Sequence, residues 1–125
     1  HTECKMANQI TSYFSSKKIY NFCGKNTINQ SALLIKKSKL LLTNDTGMMH
    51  IATAFNVPII SFWGCTKPSL GFYPYKPKNR VKNLISKNSI KPCSKHGENC
   101  NFQQSGCIKT ISSESILNSV KELLK

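Results

Sequence analysis

Two short apolar runs constrain this chain more than any other feature. Residues 39–43 read KLLLT and residues 58–63 read PIISFW. Neither run alternates apolar with polar residues, so each reads as a strand covered on both faces, the kind found in parallel sheets packed between helices. Residues 47–56 between them carry the small and apolar residues of a helix, and Pro58 prevents that helix from continuing. Strand, helix and strand in this order make a parallel crossover.

The flanking segments extend the alternation. Met6, Ala7, Ile10, Tyr13 and Phe14 fall on one stripe of a helix over 3–15. Residues 18–23, KIYNFC, read as a strand ended by Gly24, and Ile28, Ala32, Leu33 and Ile35 mark a helix over 28–37. Five glycines and prolines make 64–80 a loop, 81–86 reads as a short strand, and 87–110 is polar with little periodicity. Ile116, Leu117, Val120, Leu123 and Leu124 form the stripe of a last helix, with Ser112 or Ser113 as its cap and Glu114 in its first turn. No linker or internal repeat interrupts the 125 residues, which therefore read as one structural unit. The expected fold is α/β, a three-layer, Rossmann-like parallel sheet. Ligands of such sheets bind beyond the carboxyl ends of the strands. That places weight on two turns, 44–47 and 64–66.

The first turn runs Thr43-Asn44-Asp45-Thr46-Gly47-Met48-Met49-His50, from a buried strand into a helix. The first amides of a helix have no internal acceptor, and the aligned peptide dipoles add about half a positive charge there. A phosphate can be bound at such an end by main-chain N–H groups alone. Gly47 lets a ligand approach the backbone, Asp45 can accept hydrogen bonds from the turn amides, and His50 lies one turn into the helix. An ordinary capped helix has the same local pattern, with Asp45 as cap and His50 packed on the sheet.

The stretch TNDTGMMHIATAFNVPIISFWGCT resembles the donor-binding signature of the ADP-heptose:lipopolysaccharide heptosyltransferases, glycosyltransferase family nine. Asp45, Thr46, Gly47, His50, Pro58, Gly64 and Thr66 match that signature in order and spacing. The resemblance implies the C-terminal half of a GT-B glycosyltransferase, with residues 1–125 forming a partial nucleotide-sugar-binding domain. It implies that the amides of Thr46, Gly47 and Met48 contact the donor diphosphate, with His50 beside it stabilising the leaving group. Glu3 is similar to the family acid that hydrogen-bonds the ribose. Asn26 sits where family members contact base or ribose.

The reaction so implied is inverting transfer of a heptose-like sugar from a nucleotide diphosphate, an ADP-sugar, to a lipid-linked, lipopolysaccharide-type saccharide. Preorganised amides and His50 offset the charge building on the leaving diphosphate, so the step requires no metal or other cofactor. The general base lies in the family's N-terminal half, which is expected to be missing here together with the first strand of the sheet. The chain alone is therefore expected to have little or no activity. One departure from the pattern is Gly64-Cys65-Thr66 where the family has Gly-Pro-Thr, which is expected to loosen that turn. The implied location is cytoplasmic and peripheral at the inner membrane. No apolar run approaches membrane-spanning length and no leader is visible, so reduced cysteines are expected.

Cys93, Cys100 and Cys107 recur every seven residues, with His96 between the first two. Three thiols and an imidazole make a complete zinc set. No closely spaced cysteine pair supports it, however, and a disulfide or free packed thiols fit the sequence too. Phe72, Tyr73 and Tyr75 lie in a proline-bounded loop that either walls the ligand site or packs on its own domain. Lys67 is expected to be solvated, with pairing to a phosphate as the alternative. The eighteen basic residues against five acidic give a formal charge of +13. All but Arg80 of these are Lys, they are scattered, and Asn and Ile are abundant as well, so composition accounts for most of the excess. Nucleic acid is not the expected partner, because its readers carry arginine and clustered charge. The alternatives kept are a basic α/β or zinc-containing module that binds nucleic acid, and a GT-B transferase of another family.

Overall fold

The computed structural model describes residues 2–14, 18–75, 77–78, 80–88, 91–97, 100 and 107–125. Their contacts form two compact units, His1–Leu33 and Leu34–Lys125, a division that no linker in the sequence announces.

The first unit holds helix α1, Thr2–Ser12, and most of helix α2, Ile28–Lys37. Helix α1 has the expected apolar stripe but buries no residue. A capping box starts α2: the Thr27 amide donates to Gln30 Oε1 at 2.8 Å and the Gln30 amide donates to Thr27 Oγ1 at 3.3 Å. The strand expected over 18–23 does not form. Residues 19–22 pair with no strand, and a lone segment has no ladder to satisfy its amides and carbonyls. Side chains hold it instead. Asn21 Nδ2 donates to Asn8 Oδ1 at 2.7 Å, and the rings of Tyr20 and Phe22 stack with centroids 6.3 Å apart.

The second unit is built on the two apolar runs. Strand β1 (Leu41–Asn44), helix α3 (Gly47–Ala54), strand β2 (Ile59–Trp63), strand β3 (Val81–Ile85) and helix α4 (Ser113–Leu123) follow in order. The strands form one parallel sheet, β1-β2-β3, with Leu41 opposite Ile59 and Ile59 opposite Val81. Ile59, Ser61 and Trp63 point to one face and Ile60 to the other, yet all four are fully buried, so the central strand is covered on both sides. On the first face Ile59 and Trp63 pack with Ile35, Met49, Ala52 and Val57. The Trp63 indole N–H is satisfied there by Ser61 Oγ at 2.8 Å, and Ser61 donates onward to Asn83 Oδ1 at 2.7 Å.

Helix α3 ends before Pro58. Asn56 adopts φ 56°, its amide bonds to the Thr53 carbonyl, and the Val57 amide bonds to Ala52. This is a Schellman cap with Asn at the left-handed position. Helix α4 starts at Ser112, whose hydroxyl accepts from the Ser115 amide at 3.2 Å. It packs against β3 through a narrower stripe than expected: Leu123 is buried and Ile116 and Val120 half-buried, but Leu117 and Leu124 are exposed. The single arginine has a structural task at its far end. Arg80 Nη2 donates to the Leu123 carbonyl at 2.6 Å, placing a cation where the helix dipole is negative.

Candidate functional site

The turn after β1 delivers the chain from sheet to helix in two residues, Asp45 and Thr46. Thr46 is the extended N-cap of α3, at φ −144° and ψ 166°, and its side chain makes no capping bond. Its hydroxyl meets that of Thr43 at 3.1 Å, and its carbonyl accepts from the Met49 amide at 3.0 Å. The amides of Gly47 and Met48 find no acceptor among the described residues. Neither packing nor conformation calls for glycine at 47. Its φ is outside the left-handed region, and a Cβ added there would meet nothing within 4 Å.

The side chains of the turn differ from the capped-helix pattern. The carboxylate of Asp45 is half-buried and accepts no hydrogen bond among the described residues, so it does not brace the turn amides. His50 is exposed rather than packed on the sheet. Met48 is half-buried against the core and contributes its backbone alone to the exposed end. Glu3, exposed in the first turn of α1, and Asn26, half-buried before α2, belong to the first unit and are placed within it.

The second turn, after β2, adjoins a cavity of about 340 Å³, within the size range of small-molecule sites. Asn44 and Asp45 from the first turn line one side, and Phe62, Gly64, Cys65 and Thr66 from the second line another. Cys100, Cys107 and Ile108 complete it. The cavity thus lies at the carboxyl ends of adjacent parallel strands, as the topology requires. Gly47 and His50 are not among its lining residues.

Residues of the polar tail fold over the second turn. The Cys93 amide donates to the Cys65 carbonyl at 2.9 Å. Gly97, at φ +75°, brings its backbone against the Thr66 methyl, where an added Cβ would stand 3.5 Å away. Lys67 closes this turn: it is 2% exposed and its Nζ donates to the Gly64 carbonyl at 2.6 Å. The expectation of a solvated lysine therefore fails. In the aromatic loop Phe72 packs on the core and Pro74 is buried, while Tyr75 is exposed.

None of the six cysteines is in a disulfide. Cys93, Cys100 and Cys107 come together, but the fourth member of their group is Cys65, and the four sulfurs lie within 4.8 Å of one another. His96 instead faces Phe72, with ring centroids 6.3 Å apart. The hydrogen bond with Cys100, then burial, push the Cys65 thiol up to about 12. In the first unit Cys4 and Cys23 approach to 3.4 Å, and that bond raises the Cys23 thiol above its ordinary value. Sequence reasoning missed Cys65 because it lies 28 residues before Cys93, in the turn after the second apolar run.

Comparison with known proteins adds an independent line. Residues 1–104 match the family model for glycosyltransferase family 9 (heptosyltransferase). The chain is 35% identical over 104 residues to lipooligosaccharide heptosyltransferase 2 of Haemophilus influenzae, covering 83% of this chain and 29% of that protein. It is 27% identical over 125 residues to lipooligosaccharide heptosyltransferase 2 of Campylobacter jejuni, covering 97% of this chain and 38% of that one. Lipopolysaccharide heptosyltransferase 2 of Escherichia coli is 36% identical over 66 residues, 53% of this chain and 19% of its own length. The chain thus spans well under half the length of each of these relatives. No solved structure gives a significant match.

Proposed function

We propose that this chain, which belongs to glycosyltransferase family 9, is the donor-binding part of a heptosyltransferase and holds the diphosphate of a nucleotide sugar at the start of α3. The observation that carries the reading is Gly47. Alanine favours a helix over glycine by about 1 kcal/mol in the interior. Glycine at a position with ordinary φ and open space around its Cβ is explained by a ligand that needs that space. The adjacent amides of Gly47 and Met48 are donors without acceptors among the described residues. A diphosphate supplies the acceptors and gains from the helix dipole.

In this reading the chain is the C-terminal half of a GT-B enzyme. It transfers a heptose-like sugar with inversion from an ADP-sugar to a lipopolysaccharide-type acceptor at the cytoplasmic face of the inner membrane. The amides of Thr46, Gly47 and Met48 bind the diphosphate, and exposed His50 donates to the same oxygens as the glycosidic bond breaks. These donors stand in place before reaction, so they stabilise the leaving group without reorganising. Glu3 and Asn26 contact the nucleoside. The attacking hydroxyl loses its proton to a base from outside this chain, since none of the carboxylates here is assigned that role.

Calorimetry tests the reading. The chain is expected to bind ADP-sugar more tightly than UDP-sugar. Gly47→Ala is expected to weaken that binding at least tenfold, about 1.4 kcal/mol, while the melting temperature stays the same or rises, and His50→Ala to weaken it less. Equal affinity in wild type and Gly47→Ala contradicts the reading. Salt-steep binding of duplex DNA without nucleotide binding would favour a nucleic-acid module instead.

A further inference from the structure

We propose that Cys65, Cys93, Cys100 and Cys107 bind one zinc ion that staples the polar tail to the carboxyl edge of the sheet. Four sulfurs, each about 2.3 Å from a tetrahedral zinc, stand about 3.8 Å from one another. Here Cys100 and Cys107 are 3.5 Å apart, Cys65 and Cys107 are 4.0 Å apart, and no pair exceeds 4.8 Å. A small contraction of the group completes the coordination shell. The donor set selects the ion, because four soft thiolates in a tetrahedral arrangement suit zinc and not the oxygen-seeking magnesium or calcium.

The backbone around the group is already fixed in a way that a metal site needs. Cys65 follows directly from the central strand, and its carbonyl takes the Cys93 amide. Cys107 is buried and opens a short 3-10 turn, Cys107–Thr110. That turn is tied to the end of β3: Thr110 Oγ1 donates to the Cys107 carbonyl at 2.8 Å and meets Ser86 Oγ at 3.0 Å. The same turn packs beside Gly64, where an added Cβ would make ordinary contact 3.5 Å from the Ile108 amide nitrogen.

Among the described residues between β3 and Cys107 there is no helix or strand, and Ser86 is the only buried one. Four thiols packed on one another contribute little apolar burial compared with a leucine core. A structural zinc supplies folding free energy directly. In binding, the ion replaces up to four thiol protons and no electron is transferred. Cys65, Cys100 and Cys107 also line the cavity, so the ion sets the shape of one of its walls. The inference stands on these sulfurs and does not depend on the donor reading.

The test is metal analysis of the intact chain purified under reducing conditions, with cobalt substitution as a second readout. One equivalent of zinc per chain is expected. Cobalt is expected to give the intense visible bands of tetrahedral thiolate coordination. Cys65→Ser and Cys93→Ser are each expected to weaken zinc retention against a chelator at least tenfold. The double variant Cys4→Ser/Cys23→Ser, outside the group, is expected to keep the full equivalent. Because a Cys65 variant can fail to fold, the wild-type cobalt spectrum decides on its own. Six titratable thiols with no zinc and no tetrahedral cobalt spectrum overturn the proposal. So do thiols lost to a disulfide under these conditions, iron with sulfide in place of zinc, or zinc retention unchanged in the Cys65 and Cys93 variants.

Discussion

Lys67 shows how far one side chain can depart from its type. A lysine two residues past a strand turn is ordinarily a solvated charge, and nothing local in Gly64-Cys65-Thr66-Lys67 marks it otherwise. Here its stem is buried and its Nζ closes the turn onto the Gly64 carbonyl. Lys67→Ala is expected to cost about 3 kcal/mol in chemical denaturation, from lost stem burial and an orphaned carbonyl. Lys67→Met, which keeps the stem, is expected to cost about half as much. A solvated lysine would leave both variants within about 0.5 kcal/mol of wild type. Gly47 is the opposite case at the same scale, a residue whose identity is unexplained by its own neighbours and which the proposed function assigns to a ligand.

Elements set by pattern and caps were the legible part of this fold. The helix expected over 28–37 forms as α2 between the same two residues, because its capping box and its apolar spacing agree. The two apolar runs become β1 and β2, but only β2 is buried on both faces; β1 lies at the sheet edge, with Leu42 and Asn44 exposed, so its apolar run overstates its burial. Residues 18–23 carry strand residues as well, but a strand depends on a neighbour and the sequence does not say whether one is there. The expected stripe of α4 is too wide on one side, where Leu117 and Leu124 stay exposed, since periodicity reports which face is apolar and not how much of it the sheet covers. The site was legible as a turn between strand and helix, while Cys65 was invisible because its partners are distant in sequence. The end of α3 gives a prediction at this scale. Asn56 holds φ 56° in the Schellman cap. Asn56→Ala is expected to lower stability by about 1 kcal/mol, whereas Asn56→Gly is expected to raise it by about 0.5 kcal/mol. A thermal melt of the two variants beside wild type checks the order, and equal melting temperatures would contradict the cap.

The whole molecule carries a formal charge of +13, and some of that charge is already committed to structure. Arg80 holds the end of α4, Lys67 is buried on a carbonyl, and Lys82 pairs with Glu122 at 2.8 Å. The scattered remainder creates a positive field that draws in any polyanion, a diphosphate included. No helix among the described residues is long and apolar enough to cross a membrane. The chain spans a minor share of the heptosyltransferases it resembles, so nucleotide binding rather than turnover is the property to measure on it. Bulk affinity alone cannot separate a built site from a charged surface, because both bind ADP. Residue-resolved chemical-shift mapping with ADP at raised ionic strength separates them. The account predicts that the largest amide shifts fall on Thr46, Gly47 and Met48 and persist when salt screens the surface. Shifts spread over the exposed lysines and abolished by salt, with those three amides unmoved, would contradict it.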